Sequence, residues 1–190
     1  MPEHSVADVE PLFDAVQERP HADLFAGVPE AEVPDVAAEP LWPAVAAAVD
    51  PRVAEALRYA GAELRRGVCE TGDNGGVPYT RYVQWFGSNL PRGPWCAYFV
   101  SWCWDNATDR NRRVPWPNPG WVESVRGWAS AHGKLVNRPR QGDLFGEGGA
   151  HIGWVLSVNG SGFTTIEGNA SDCVRSYQRS TGGLWFARIA

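Results

Sequence analysis

The hydrophobic residues that follow Asp50 recur first at helical spacing. Asp50 and Pro51 form a favourable helix start, because aspartate accepts hydrogen bonds from free backbone amides and proline suits the first helical position. The periodic pattern ends at a basic pair before Gly67, and glycine commonly terminates helices. The pattern predicts a helix over residues 50–66, with an apolar face formed by Val53, Leu57, Ala60, Gly61 and Leu64.

The most apolar stretch of the chain, WCAYFVSWCWDNA at residues 95–107, predicts a buried helix. It contains no turn residue, and the chain enters it through Gly93 and Pro94. Four of its residues recur at i, i+3, i+4 and i+7, namely Cys96, Phe99, Val100 and Cys103. A shorter helix is predicted at residues 79–87, between two loops rich in glycine and proline.

One more helix precedes a change in the pattern. Asn118 and Pro119 open this helix and Gly133 closes it, and its apolar side consists of Trp121, Val122, Val125 and Trp128. Short β-branched and aromatic runs then alternate with turn residues, as is typical of an antiparallel meander. The predicted strands are 143–146, 151–158, 162–167, 173–179 and 184–189. Helices followed by strands indicate an α+β fold, with the N-terminal helices packed on one side of a single antiparallel sheet.

Length and charge divide the chain into two parts. The 190 residues suffice for one sizeable core, and 44% hydrophobic with 21% charged residues is the composition of a folded protein. Residues 1–50 hold 11 acidic residues and one basic residue, a net charge of −10, whereas residues 51–190 hold 11 acidic and 16 basic residues, a net charge of +5. We therefore predict an acidic, proline-rich extension at residues 1–49 and one domain at residues 50–190.

The extension carries few signals of its own. Ser5 and Asp8 favour a short helix that runs through about residue 18. Its charge suits a segment that covers the domain, masks it or binds a delivery partner, and a solvated leader is the simpler alternative. The chain has no run of 18 apolar residues, so we expect no membrane span. Its first residues lack the basic segment followed by an apolar segment that a standard signal peptide has, so we expect no such peptide and synthesis in the cytoplasm. The basic residues form no run typical of a nucleic-acid site.

Four residues of the predicted domain are of the types that form a catalytic group around a cysteine nucleophile. Cys96 begins the buried helix, where free amides and the positive helix end stabilise a thiolate. His151 begins a strand, and its imidazole can take up the thiol proton and return it to a leaving amine. Glu167 and Asn169 lie two residues apart, so on a continuing strand they share a face from which either could hold the second imidazole nitrogen.

The cysteines also have structural alternatives. A cysteine in an apolar helix is usually a core residue, which describes Cys103 better than Cys96, because Cys103 lies two turns from the activating helix end. Cys69 and Cys173 could form a disulfide in an oxidising environment, although we expect free thiols at synthesis.

The loops and the tryptophans bear on metal binding and on aromatic contacts with a substrate. No zinc-type spacing of cysteine or histidine occurs, and the loop that holds Glu70, Asp73 and Asn74 lacks the EF-hand pattern, so we predict no metal and no cofactor. Most of the ten tryptophans are expected in the core. Trp95, directly before Cys96, and Trp154, three residues after His151, are the candidates for lining a substrate groove.

Three sequence motifs resemble those of the CHAP domain, the cysteine, histidine-dependent amidohydrolase/peptidase module of peptidoglycan hydrolases and phage endolysins. The motifs are GPWCAYFVSWCW, GDLFGEGGAHIGWVLSV and FTTIEGN, in that order, and the resemblance covers roughly residues 52–190. It implies a papain-like α+β fold of the NlpC/P60 type. It also implies Cys96 as nucleophile, His151 as general base, Glu167 as the residue that orients it and Asn169 as a fourth polar member.

The resemblance further implies hydrolysis of amide bonds in peptidoglycan, by an N-acetylmuramoyl-L-alanine amidase or a stem-peptide or cross-bridge endopeptidase. Asn74 and Gln84 are candidate oxyanion donors beside the Cys96 amide. Some relatives bind calcium near the Glu70–Asn74 loop, so calcium dependence stays open.

Such an enzyme would act as a lysin or a wall-degrading effector, after lysis or export by a partner system. Residues 1–49 are the candidate contact for a delivery or immunity partner. The alternatives are a cysteine protease or deamidase with a protein substrate, and a non-catalytic wall-binding module.

Overall fold

The computed structural model describes residues 49–190. Apart from Val49, the predicted extension and its short helix lie outside the described residues. Helix α1 spans Pro51–Arg65, as predicted: the Asp50 side chain accepts a hydrogen bond from the Arg52 amide at 2.9 Å, and Pro51 occupies the first turn. The chain leaves α1 through Gly67 at φ 60°, a left-handed conformation that favours glycine.

The predicted short helix and the predicted buried helix are both present. A π-helical turn at Tyr79–Val83 continues into the short helix α2, Gln84–Phe86. Helix α3 spans Cys96–Ala107, and ten of its 12 residues are buried. It packs against α1 on one side and against the central strands of the sheet on the other. Helix α3 is therefore the central helix of the domain.

Helix α4 spans Val122–Ala131 and begins later than predicted. The Asn118 side chain accepts from the Gly120 amide at 2.9 Å, which forms a tight turn instead of a helix cap. Trp121 precedes the first helical residue and is 58% exposed, so its assignment to the apolar side was wrong. Gly133, at φ 64°, lies just beyond the helix end as predicted.

The sheet is antiparallel and contains seven strands. Their bounds are β1 Leu135–Val136, β2 Leu144–Glu147, β3 His151–Asn159, β4 Gly162–Ala170, β5 Cys173–Arg175, β6 Gln178–Ser180 and β7 Leu184–Ala187. The main order is β1-β7-β2-β3-β4-β5, and β6 also pairs with β4. Mixed helices and an antiparallel sheet confirm the α+β class and are compatible with a papain-like fold.

The connections differ from a simple meander in two places. The strand predicted at 173–179 is divided into β5 and β6, which pair with different parts of β4. The last strand returns to pair with β2 and β1 instead of β6. The two-residue strand β1 was not predicted, because so short a run has no detectable alternation.

The two faces of the sheet bury different residues. Ile152, Trp154 and Ile166 face the helices and join the main core. A second, smaller cluster lies apart from that core and consists of Phe145, Val155, Phe163 and Phe186. This alternation along β3 and β4 agrees with the prediction that the helices pack on one side of the sheet.

Within residues 49–190, no helix combines the length and the apolar composition needed to cross a bilayer.

Candidate active site

Cys96 is the first residue of α3 and carries a free, buried thiol. The first backbone bond of this helix joins the Phe99 amide to the Trp95 carbonyl at 2.8 Å. The amides of Cys96, Ala97 and Tyr98 therefore precede the helical ladder, and no side-chain cap at Trp95 satisfies them. Free amides and the positive helix end both favour an anion at this position.

His151 is the first residue of β3, and 12% of its side chain is exposed. Its Nε2 donates to Oε2 of Glu167 at 2.7 Å, which leaves Nδ1 as the nitrogen for the Cys96 thiol. Burial by itself lowers the pKa of His151, but hydrogen bonding to Cys96 and to Glu167 outweighs burial and raises the pKa to about 9. Below that pH the imidazole is positively charged and stabilises a neighbouring thiolate.

Glu167 lies on β4 with a fully buried carboxylate. Arg179 donates to both of its oxygens, from Nε to Oε1 at 2.6 Å and from Nη2 to Oε2 at 2.7 Å, and the Thr165 hydroxyl also donates to Oε1. Burial raises the pKa of Glu167, but hydrogen bonds from His151 and Arg179 outweigh burial and lower the pKa to about 2. The Glu167 carboxylate is therefore ionised between about pH 2 and pH 9, the range in which the His151 imidazole can be charged beside it.

Two glycines allow the helix and the strands to approach closely at this point. A β-carbon at Gly168 would lie 2.5 Å from Cβ of Phe99 and 2.8 Å from Cζ3 of Trp95. A β-carbon at Gly153 would lie 3.0 Å from Cγ of Glu167. Any larger residue at either position would push α3 or the Glu167 carboxylate away from the imidazole.

Asn169 does not continue the regular strand face on which Glu167 lies. The register of β4 against β5 shifts between Glu167 and Ala170, and Asn169 adopts a left-handed φ of 58°. This irregularity breaks the alternation on which the shared face was predicted. Among the described residues no hydrogen bond joins the Asn169 side chain to His151, and Glu167 is the residue that holds Nε2. The role of Asn169 in the reaction stays a prediction.

The two tryptophans predicted to line a groove are both fully buried. Trp95 packs within the main core, and so does Trp154. That part of the prediction was wrong, because proximity to Cys96 and His151 in the sequence does not determine which way a side chain points. The exposed tryptophan in this part of the structure is Trp121.

Trp121 lies in a segment that contacts both α3 and the loop before His151. A β-carbon at the preceding Gly120 would collide with the ring of Tyr98, two residues into α3 after Cys96. Two residues after Trp121, Oε1 of Glu123 would lie 2.7 Å from a β-carbon at Gly149, in the loop that leads to His151. Along the chain, Trp121 therefore lies between two residues that approach α3 and the loop before His151.

The two candidate oxyanion donors both precede α3: Gln84 is the first residue of α2, and Asn74 lies in the loop that follows α1. The Gln84 side-chain amide donates to the Ser88 carbonyl at 3.2 Å. Asn74 has a left-handed φ of 50°, and its backbone amide donates to Glu70. Neither of these contacts reaches Cys96, so both oxyanion roles stay predictions.

Two residues that bond to Glu167 were missed at the sequence level. Thr165 lies two residues before Glu167 on the same strand, so alternation alone places both side chains on one face. Arg179 reaches Glu167 from β6, which is paired with the start of β4 through Phe163. No local pattern in the sequence indicated that pairing.

The remaining cysteines are assigned by the structure. Cys69 and Cys173 form a disulfide, and Cys103 is a fully buried free thiol. Burial raises the pKa of Cys103 well above its ordinary value, which suits a core residue. In the part of the chain that the structure describes, no group of three or more histidine, cysteine or acidic side chains could hold a metal ion.

The arrangement as a whole can support nucleophilic chemistry. It combines a buried thiol at a helix start, an imidazole that can share a proton with that thiol, and a carboxylate that fixes the imidazole. The free amides of the same helix end can stabilise a developing oxyanion.

Comparison with known proteins gives one match. The family model of the CHAP domain matches residues 80–169, a range that includes Cys96, His151, Glu167 and Asn169. No curated protein and no solved structure matches the chain significantly. The match confirms the resemblance to the CHAP domain that the three sequence motifs indicated.

Proposed function

We propose, from the match of the CHAP-domain model to residues 80–169, that this chain hydrolyses an amide bond of peptidoglycan with Cys96 as the nucleophile. The family is one of amidase- and peptidase-type hydrolases that act on peptidoglycan. The observation that carries the proposal is the position of His151, which bonds to Glu167 through Nε2 and interacts with the free thiol of Cys96.

The reaction begins with the Cys96 thiolate and the protonated His151. The sulfur attacks the carbonyl carbon of the amide, and the resulting oxyanion is held by the free amides at the start of α3. His151 then donates its proton to the leaving amine, and the C–N bond breaks to leave an acyl-enzyme thioester. Water, deprotonated by the neutral His151, hydrolyses the thioester and restores the thiolate and the imidazolium.

Glu167 acts on the imidazole throughout this cycle. Its ionised carboxylate holds the Nε2–H, so Nδ1 is directed at the sulfur and at the leaving amine. Arg179 and Thr165 in turn fix the carboxylate. Positioned acid–base catalysis contributes about 10²–10⁴-fold, and one oxyanion donor about 10²–10³-fold, so the two together are needed for useful rates.

The substrate would approach past Trp121. Its indole is exposed, and its segment approaches the nucleophile helix through Gly120 and the histidine loop through Glu123, so it offers an apolar surface for a sugar ring or a stem peptide. We propose that Trp121, in place of the buried Trp95 and Trp154, contacts the substrate at the rim of the site.

The biological setting follows from the same proposal. A peptidoglycan amidase or endopeptidase acts at the wall, as a lysin or as a wall-degrading effector that a partner system delivers. The net charge of −10 over residues 1–50 supports a contact between this segment and a delivery or immunity partner.

The test compares Cys96→Ala with Cys103→Ala on purified walls. Both variants remove a thiol from α3, but only Cys96 faces His151, so Cys96→Ala should lose all hydrolysis and Cys103→Ala should retain it. Mass spectrometry of the released fragments separates the two reactions. An amidase releases stem peptides that begin with L-alanine, and an endopeptidase creates new amino termini within the stem or cross-bridge.

Three outcomes would contradict the proposal. Continued wall hydrolysis by Cys96→Ala would refute the nucleophile. Cleavage or deamidation of proteins with intact walls would identify a protein substrate instead. Binding to walls without any released fragment would identify a non-catalytic module.

A further inference from the structure

Glu70 makes two side-chain hydrogen bonds outside the Cys96–His151–Glu167 group. Its Oε1 accepts from the Asn74 amide and its Oε2 accepts from the indole Nε1 of Trp95, both at 3.0 Å. Trp95 is the residue directly before Cys96 and the cap of α3. The carboxylate of Glu70 therefore holds the side chain that adjoins the nucleophile.

The Trp95 indole is enclosed on several sides. Its ring lies 5.6 Å from the ring of Tyr82 and 6.4 Å from that of Phe99, between centroids. A β-carbon at Gly168, the residue after Glu167, would lie 2.8 Å from the same indole. Because the ring is fully buried, its one polar atom needs a protein acceptor, and Glu70 is that acceptor.

Glu70 is itself attached to the strand that neighbours Glu167. Its backbone amide donates to the Asp172 carbonyl at 2.9 Å, and the adjacent Cys69 is bonded to Cys173 on β5. Strand β5 pairs with β4, where Arg175 lies opposite Glu167. The backbone of Glu70 is thus fixed to the sheet that carries Glu167. Its side chain holds Trp95, the cap of the nucleophile helix.

We propose that Glu70 is a positioning residue, which acts through Trp95 to keep the Cys96 sulfur aligned with His151. The inference rests on the proposed role of Cys96 as nucleophile and is independent of which bond the enzyme cuts. It assigns Glu70 no contact with the substrate. Without the carboxylate the indole has no acceptor, and the first turn of α3 loses the contact that fixes it relative to β4.

The experiment measures the rate at which iodoacetamide alkylates Cys96, site by site with mass spectrometry and as a function of pH. Glu70→Ala should slow the reaction at neutral pH by about tenfold to 100-fold, the effect typical of a misaligned reacting group, and shift the profile to higher pH. Glu70→Gln should give an intermediate loss, because one amide oxygen can accept from only one of the two donors in place. Rates are compared well below the unfolding temperature of each variant.

Asp73→Asn is the matched control. It removes one negative charge from the same loop, but the Asp73 side chain is 89% exposed and its contact with Arg92 is long, at 3.6 Å. Its alkylation profile should equal that of the unchanged protein. A loss of the same size in Asp73→Asn would attribute the effect to loop charge and overturn the proposal.

The result is decisive in each direction. If folded Glu70→Gln and Glu70→Ala react like the unchanged protein at every pH, Glu70 has no positioning role. If the alanine variant fails to fold, the result for Glu70→Gln alone decides the question. Wall hydrolysis is assayed in parallel. An unchanged protein that fails to cut walls while the Glu70 variants still lose thiol reactivity would refute the proposed substrate and leave the positioning role supported.

Discussion

Arg179 and Glu167 are joined by two hydrogen bonds that use both nitrogens of one guanidinium edge and both carboxylate oxygens. The same Oε2 atom also accepts from Nε2 of His151. The buried carboxylate is thus shared by the guanidinium of Arg179 and, when His151 is protonated, by its imidazolium. Because the pair is buried with few alternatives for solvation, loss of one member should affect folding and chemistry together.

Arg179→Ala should therefore destabilise the protein strongly. It leaves Glu167 buried without its guanidinium, a change that typically costs about 3–5 kcal/mol in the free energy of unfolding. Arg179→Lys keeps the charge but not the paired geometry, so its loss should be smaller. Urea unfolding measures both. The control is Arg58→Ala, which breaks an exposed pair with Glu55 and should cost about 1 kcal/mol or less; equal losses in the two alanine variants would contradict the expectation.

The stability of the fold should depend on pH through His151 and Glu167. The pKa of His151 is raised from 6.5 to about 9, so its stabilising contribution is fully present below pH 6.5 and is lost as the pH rises through 9. The pKa of Glu167 is lowered from 4.5 to about 2, so its contribution is present above pH 4.5 and is lost as the pH falls through 2. Unfolding free energies measured over this range should fall at both ends.

Replacement of Glu167 separates the two contributions. Glu167→Gln removes the anion that supports the imidazolium, so the pKa of His151 should move down toward 6.5. The alkaline loss of stability, and the alkaline limb of wall hydrolysis, should both shift to lower pH. An alkaline limb that stays near pH 9 in this variant would show that His151 does not depend on Glu167.

Local sequence patterns were sufficient for much of the fold and for the order of the site residues. Helical periodicity places Cys96 at the start of a buried helix, and β-alternation places His151 and Glu167 on neighbouring strands. The same alternation could have added Thr165, two residues before Glu167. These features depend on spacing within one element, which a sequence displays directly.

The remaining features depend on contacts between distant elements. Arg179 reaches Glu167 only because β6 pairs with the start of β4, and the burial of Trp95 depends on its packing against Tyr82. Asn169 departs from strand alternation through a left-handed φ that its local sequence does not require. Strand pairing and side-chain direction of this kind are properties of the assembled domain.

The disulfide between Cys69 and Cys173 should stabilise the fold substantially. The two residues are 104 positions apart, and a bond that closes so long a loop restricts the unfolded chain, with typical effects of about 2–5 kcal/mol. Cys69→Ser with Cys173→Ser should lower the free energy of unfolding by this amount. A reducing agent should destabilise the unchanged protein equally and leave the double variant unaffected. Destabilisation of both by the reductant would point to an effect unrelated to this bond.

Trp121 should contribute to substrate binding but not to the reactivity of the thiol. The indole is exposed, while Gly120 and Glu123 on either side of it approach α3 and the loop before His151. Trp121→Ala removes an apolar surface whose burial by substrate is worth about 1.4 kcal/mol or more, so KM for soluble wall fragments should rise about tenfold with kcat little changed. Trp121→Phe keeps a ring and should lose less. The rate of Cys96 alkylation should be the same in all three proteins, because the indole is not part of the Cys96–His151 pair. A fall in both kcat and thiol reactivity would mean that Trp121 supports the proposed catalytic residues instead of binding the substrate.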